Sequence, residues 1–363
     1  MKKALAFILA GLLALSLIAC GGAPQSTGGS TSGGPASQSA APAAPAAKDI
    51  TIGLVTDIGG FGDKGYNDAS LEGLKKAQEE FGIELITIES QAVSDYVTNV
   101  ETLSEAGCLM VITTGTALSE AVASVAPKYP DVHYVVLEGT VEGVDNVAST
   151  VSREQEGGFL LGYLAASLTE GDKLGFIAAI EGPAFERFET GYRAGAMTKN
   201  PDIEVLSSTI GNFTDVGAGY DTAVSMYSMG ADYIAPVAGG VNQGVFQAAA
   251  DNGKLVFGAA TGQFDSAPEN IIASQVKLVN NQVYYLVSQA VAGQLPAAGL
   301  YYSGIKEGLV DVLYNPQPTE QMQQLLTDEL KEEIASLRQR IVDGDITVPE
   351  TLEELESFTP PAV

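Results

Sequence analysis

The apolar positions change period repeatedly along the chain. Residues 50–55 form a short β-rich run, and Leu71, Leu74, Ala77 and Phe81 then recur at near-helical spacing, which predicts a helix over 66–81. The same alternation predicts strands at 84–88, 109–113, 132–137 and 147–151, with helices at 96–105 and 117–126. After a helix over 154–168 the rhythm restarts. Strands are expected at 173–179, 204–209, 233–237, 255–257 and 271–274, and helices at 184–197, 215–229 and 242–251. A helix over 278–292, a strand-like segment over 304–313 and a charged helix over 320–342 follow.

Strand and helix in alternation imply parallel sheets covered on both faces. The expected fold is α/β, with two doubly wound parallel-sheet lobes joined by crossover strands. The first lobe is assigned to 48–150 plus 276–316 and the second to 151–275 plus 317–350, with a tail over 351–363. Crossovers are expected near 148–153, 272–277 and 315–319. In open α/β sheets ligands bind beyond the C-terminal strand ends, so the natural site is the cleft between the lobes.

Ahead of this body, Met1-Lys2-Lys3 opens an apolar run over 4–19 that is too short for a membrane-spanning helix and reads as an export signal, residues 1–19. It ends at Leu17-Ile18-Ala19-Cys20, which resembles a bacterial lipobox with lipidation at Cys20. The bland alternative is an ordinary cleaved signal that contains a Cys. Residues 21–47 hold only Gly, Ala, Pro, Ser, Thr and Gln, and such a stretch buries too little surface to offset its ordering entropy. It reads as a flexible tether, residues 20–47, from a lipid anchor on the extracytoplasmic face of a bacterial cell membrane.

Composition narrows the function. Among 363 residues, 18 Lys and Arg face 45 Asp and Glu, a formal charge of −27, so nothing here neutralises a row of phosphates and no nucleic-acid partner is expected. Two Cys and one His argue against a disulfide scaffold, a metal centre or His-based catalysis. Cys108 heads an apolar run and reads as a buried thiol; His133 lies in an apolar strand and reads as a core residue.

The loop from Asp57 to Asp68 carries a literal G-x-G-x-x-G at Gly60, Gly62 and Gly65 between a strand and a helix. Export and the carboxylates Asp57, Asp63 and Asp68 argue against a dinucleotide, because acidic side chains repel a pyrophosphate. The structural alternative is a glycine-rich turn with Asn67 or Asp68 capping the helix. A secreted carboxylate-dependent hydrolase is the rival class, with Asp57, Asp63 and Glu138 near strand ends; no G-x-S-x-G elbow supports a serine enzyme.

The same loop resembles the "TDxGGxxDKSFN" signature of the basic membrane protein family, solute-binding lipoproteins of ABC importers whose best-understood members bind purine nucleosides. The resemblance runs along nearly the whole body. It includes Tyr129-Pro130-Asp131 with Val135 to Gly139, Glu154-Gln155-Glu156-Gly157-Gly158-Phe159, Arg187-Phe188-Glu189-Thr190-Gly191-Tyr192-Arg193-Ala194-Gly195, Gly239-Gly240 through Gly244-Val245-Phe246-Gln247, and Ser274-Gln275-Val276-Lys277.

The resemblance implies a type I periplasmic-binding-protein fold, a small-molecule ligand, permease and ATPase partners, and a monomer without cofactor or metal. It implies that Asp57, Tyr66 and Asn67 address the ligand and that Lys277 reaches a ribose, and it places Glu138 where the family usually has Asp. Tyr66 suits stacking on a heterocycle and Asn67 offers a donor and an acceptor to a base edge. Phe213 is the candidate for the opposite ring face, with a core Phe under a loop as its alternative. Thr114, Gly239 and Gly240 complete the strand-end loops.

Two loops depart from the family pattern: Thr114-Gly115-Thr116 lacks the usual aromatic, and the loop over 258–263 lacks two acids. Gly258-Ala259-Ala260-Thr261-Gly262-Gln263 stands where nucleoside binders read like "GVDxDQ", so both Asp are missing, at Ala260 and Gly262. Sugar hydroxyls left unpaired in a closed cleft cost about 1–3 kcal/mol each. A free nucleobase or a flavin such as riboflavin is therefore expected beside a purine nucleoside as ligand. Lobe closure over that ligand, with no bond made or broken, is the expected mechanism.

Overall fold

A computed structural model describes residues 50–62, 66–260 and 262–362. The signal, Cys20 and the tether lie outside the described residues, as do Asp63 and Gly65.

The first sheet is built from β1 (Thr51–Val55), β2 (Glu84–Ile88), β3 (Met110–Thr114), β4 (His133–Leu137), β5 (Val147–Ser152) and β11 (Gly299–Ser303). Its order is β11-β5-β4-β3-β1-β2, and every neighbouring pair is parallel. Side chains alternate across it. Ile52, Leu54, Ile112 and Val135 pack beneath α1 (Tyr66–Phe81) and α8 (Val279–Val291), while Val55, Val111 and Val136 meet α2 (Tyr96–Glu105) and α3 (Ser119–Val125). Both faces are covered, which is why these strands read as continuous apolar runs.

The second lobe holds β6 (Lys173–Ala178), β7 (Glu204–Thr209) and β8 (Tyr233–Val237) in the order β7-β6-β8, and β9 (Val256–Ala260), β10 (Ile271–Lys277) and β12 (Val310–Tyr314) in the order β12-β10-β9. β12 alone runs antiparallel, with Lys277 opposite Val310. The faces are covered by α4 (Glu154–Leu168), α5 (Pro183–Lys199) and α10 (Asp328–Asp343) on one side and by α6 (Val216–Ser228) and α7 (Asn242–Asp251) on the other.

Two expectations shift. The strand-like segment 304–313 holds only β12, which pairs with β10 although 276–316 is expected in the first lobe, and an unexpected strand, β11, precedes it in the first sheet. Between them Gly304 turns under Glu156, and a Cβ there would lie 2.1 Å from Glu156 Oε2. The charged helix 320–342 is two helices, α9 (Glu320–Leu325) and α10. The break falls where the Thr327 side chain accepts a hydrogen bond from Leu330 N at 3.2 Å and caps a new helix.

In the tail, α11 (Leu352–Glu356) docks on α5 through Leu352 N, which donates to Glu186 Oε1 at 3.1 Å. Cys108 is buried and free, and burial pushes its thiol up to about 11. His133 sits partly buried at the N-terminal end of β4, the opposite end of the strand from Glu138. Among the described residues no helix is long and apolar enough to cross a membrane.

Candidate functional site

The turn after β1 folds around a single carboxylate. Asp57 Oδ1 accepts from Gly59 N at 2.9 Å and from Asn67 Nδ2 at 2.8 Å. Thr114, at the end of β3, receives Asp57 N at 3.2 Å and donates its hydroxyl to Asn67 Oδ1. Asp57, Asn67 and Thr114 thus form one network across three chain segments, and Asn67 is buried within it. The Asn67 side chain is spent on holding this loop to the sheet, which places it beneath the surface that Asp57 presents.

The glycine-rich stretch is lined by acids. Phe61 N donates to Glu89 Oε2 at 3.1 Å and Gly62 N to Asp68 Oδ1 at 2.7 Å. A backbone cradle for a pyrophosphate needs those N–H groups free and directed at the ligand. Here the protein's own carboxylates take the Phe61 and Gly62 N–H groups, which argues against a pyrophosphate at that part of the loop.

The centre of the second constellation is Lys277, the last residue of β10. Its ammonium lies 2.7 Å from Glu154 Oε1 and 3.4 Å from Glu138 Oε2, and the Tyr66 hydroxyl interacts with it electrostatically. Tyr66 and Glu138 belong to the first lobe, and Lys277 and Glu154 to the second, so this cluster spans both. Burial alone would lower the Lys277 pKa, but Tyr66, Glu154 and Glu138 outweigh it and hold the ammonium above the ordinary lysine range. Burial pushes the Tyr66 hydroxyl up to about 12, opposed by Lys277 and assisted by the two glutamates.

Glu138 follows β4 with φ of +55°, a left-handed conformation that turns its side chain back over the strand ends. Its N–H donates to Thr150 Oγ1 at 3.1 Å, its carbonyl receives Thr116 Oγ1 at 2.8 Å, and its Oε1 receives Ser152 Oγ. Three hydroxyls, from β5 and the turn after β3, therefore fix the residue from backbone to carboxylate.

Glu154 is positioned by helix packing. Gly158 and Gly162 on α4 face Gly191 and Gly195 on α5, and a Cβ at Gly162 would lie 1.9 Å from Tyr192 O, one at Gly195 1.9 Å from Phe159 O. Only hydrogen fits at these positions, and the two backbones meet. That approach brings Arg187 Nε to 2.7 Å from Glu154 Oε2, in a pair where Glu154 is 0% exposed. Glu154 and Arg187 are the residues that sequence reasoning passed over. Their signal was a pair of opposite charges beside glycine-spaced apolar helix faces.

Phe213, Gly239 and Gly240 form a third group at the strand ends of the second lobe. Phe213 is 45% exposed and rests on Phe185, ring centroids 5.9 Å apart. Its carbonyl receives Val241 N at 3.2 Å. Gly239 takes a φ of +62°, and a Cβ there would lie 3.2 Å from the Phe213 ring. The exposure argues against the core-Phe alternative. This group makes no described contact with Tyr66 or Lys277.

The loop 258–263 presents no carboxylate. Ala260 and Gln263 take left-handed φ of +62° and +56°. Gln263 turns its amide oxygen inward, receiving Asn242 Nδ2 at 3.0 Å and Ala259 N at 3.2 Å.

Two α/β lobes meeting at a buried polar cluster define the class of two-lobed solute-binding proteins. A solved ABC solute-binding protein from Aeropyrum pernix superposes with a TM-score of 0.62 at 26% identity, covering 85% of this chain and 96% of its own. A protein described as a transcriptional activator of the comK gene from Bacillus halodurans, at 23% identity and a TM-score of 0.67, covers 82% and 99% and shares the fold. Residues 50–352 match the model of the PnrA-like ABC transporter substrate-binding proteins, and the chain belongs to that family. It is 34% identical to basic membrane protein A of Borreliella afzelii over 313 residues, 85% of this chain and 94% of the relative. It is 28% identical to the ABC transporter nucleoside-binding protein BmpA of Lactococcus lactis over 322 residues, 83% and 89%.

Proposed function

We propose that this chain is the lipid-anchored, extracytoplasmic substrate-binding subunit of an ABC importer, and that its ligand is a purine nucleoside or a related flat heterocycle. The observation that carries this reading is the ion pair of Lys277 with Glu138 across the two lobes at 3.4 Å, with Tyr66 beside it. It supplies an aromatic face, an ammonium and a carboxylate where a ligand would bridge the lobes. Phe213, exposed on its glycine turn, supplies the second ring face. An aromatic face is worth about 1–3 kcal/mol to a stacked base.

In this reading the first lobe holds the ligand through Asp57, Tyr66 and Glu138, with Asn67 and Thr114 fixing the Asp57 loop beneath it, and the second through Phe213, Gly239, Gly240 and Lys277. Contacts from both lobes favour the closed form, which docks on a permease and releases the ligand unchanged. The relative named as a nucleoside-binding protein supports the ligand class.

A second reading within the same role is a free nucleobase or riboflavin. It is favoured by the loop 258–263, which offers a ribose no carboxylate and keeps Gln263 turned inward. A thermal-shift panel of purine nucleosides, free bases, riboflavin and sugars tests the assignment. A rise in midpoint with nucleosides, lost in Tyr66→Ala, supports it; a rise with sugars alone overturns it.

A further inference from the structure

We propose that Glu154 is a positioning residue that acts through Lys277 and sets the charge selectivity of the site, so that the site accepts an uncharged heterocycle and rejects its phosphorylated form. The inference rests on the nucleoside-like ligand class argued above and assigns the discrimination to a residue outside the set that faces the ligand.

An ammonium has three N–H groups. Lys277 Nζ is ion-paired with Glu154 Oε1 at 2.7 Å and hydrogen-bonds Glu138 Oε2 at 3.4 Å, with the Tyr66 hydroxyl beside it. The two carboxylates are not equivalent. Glu138 retains 23% side-chain exposure and holds the ammonium at the longer distance, so a ligand hydroxyl can displace it. Glu154 is fully buried, at the shorter distance, and locked from behind by Arg187 Nε at 2.7 Å on its other oxygen. Its charge stays on Lys277 whatever the ligand does.

Other described groups suited to holding a phosphate are occupied as well. Arg187 is committed to Glu154, and Arg153 to Glu156 at 3.5 Å and to the Tyr302 ring. The N–H groups of Gly59, Phe61 and Gly62 donate to Asp57, Glu89 and Asp68. Among the described residues of the cluster, each cation has a carboxylate partner, while Asp57 and Glu138 remain as negative charge at the strand ends. A phosphate brings nearly two further negative charges into this field, where the described cations already carry carboxylate partners.

The test is calorimetric titration of the full chain with guanosine and with guanosine monophosphate, comparing wild type and Glu154→Gln. Wild type should bind guanosine and prefer it over the monophosphate by about 100-fold or more, and Glu154→Gln should shrink that preference by about tenfold through gained monophosphate affinity that weakens with salt. A general loss of packing would lower both affinities and leave their ratio unchanged. An unchanged ratio in a folded Glu154→Gln protein overturns the role of Glu154. Absence of nucleoside binding by wild type instead overturns the ligand class on which the role depends.

If Glu154→Gln fails to fold, Glu154→Asp keeps the charge and shortens its reach. It should preserve the preference while guanosine affinity falls by about tenfold. Unaltered guanosine affinity in that variant overturns the proposal.

Discussion

Lys277 Nζ and Glu154 Oε1 lie 2.7 Å apart, between the last residue of a strand and the first of a helix. Glu154 is also paired with Arg187, so one buried carboxylate carries two cations. Removing one member of a buried pair leaves an uncompensated charge and costs about 3–5 kcal/mol. Because Lys277 remains in place, Arg187→Met should cost about 2–4 kcal/mol, read as a lower urea midpoint with an unchanged slope. A loss below about 0.5 kcal/mol would show that the pair contributes little.

The α4–α5 crossing sets that geometry. Gly195→Ala places a methyl 1.9 Å from the Phe159 carbonyl oxygen, and no side-chain rotation relieves a clash with backbone. The helices must separate, so the expected cost is about 3 kcal/mol or more, at the upper end of overpacking effects. Equilibrium denaturation measures it. Gly253→Ala provides the contrast: it has no neighbour within 4 Å, and only its φ of +62° opposes the substitution.

Phe213 separates binding from stability. At 45% exposure its truncation should cost the free protein less than about 1 kcal/mol. Ligand affinity should fall by about tenfold if the ring forms one face of the site. The reverse pattern, a large fall in melting temperature with unchanged affinity, would make Phe213 a packing residue under its loop.

Alkaline pH should loosen the cluster. The Tyr66 hydroxyl is pushed up to about 12 and the Lys277 ammonium is held above its ordinary range, so the folded protein retains both protons where the unfolded chain releases them near pH 10. A group whose folded pKa is raised contributes fully below the unfolded value, and that contribution is lost as pH climbs through the folded value. The melting temperature should therefore fall between about pH 10 and pH 12, and fall less in Tyr66→Phe. Identical profiles for the two proteins would place the alkaline transition elsewhere.

Much of the architecture was legible because buried parallel strands and amphipathic helices differ in period. The helices Tyr66–Phe81 and Glu154–Leu168 and the strand Glu204–Thr209 fall at the expected residues. The strand Gly299–Ser303 ahead of 304–313 was not legible, and the turn at Gly304 that parts it from the next strand packs under Glu156 from a distant helix. Thr327 inside a charged helical pattern hid a new cap.

For the candidate site, the order of motifs brought Asp57, Asn67 and Thr114 within view, and equally Tyr66, Glu138 and Lys277. The partnership of Glu154 with Arg187 and Lys277 was invisible, because it depends on how closely two helices approach. That approach is encoded in four glycines whose spacing reads, along one chain, as ordinary helix with poor propensity.

The most direct test of the account is calorimetric titration of the protein with purine nucleosides, followed by chromatography of the recovered ligand. The account predicts saturable one-site binding that is lost in Tyr66→Ala, with the nucleoside recovered intact. Recovery of a free base and sugar, or no binding by any flat heterocycle, would contradict it.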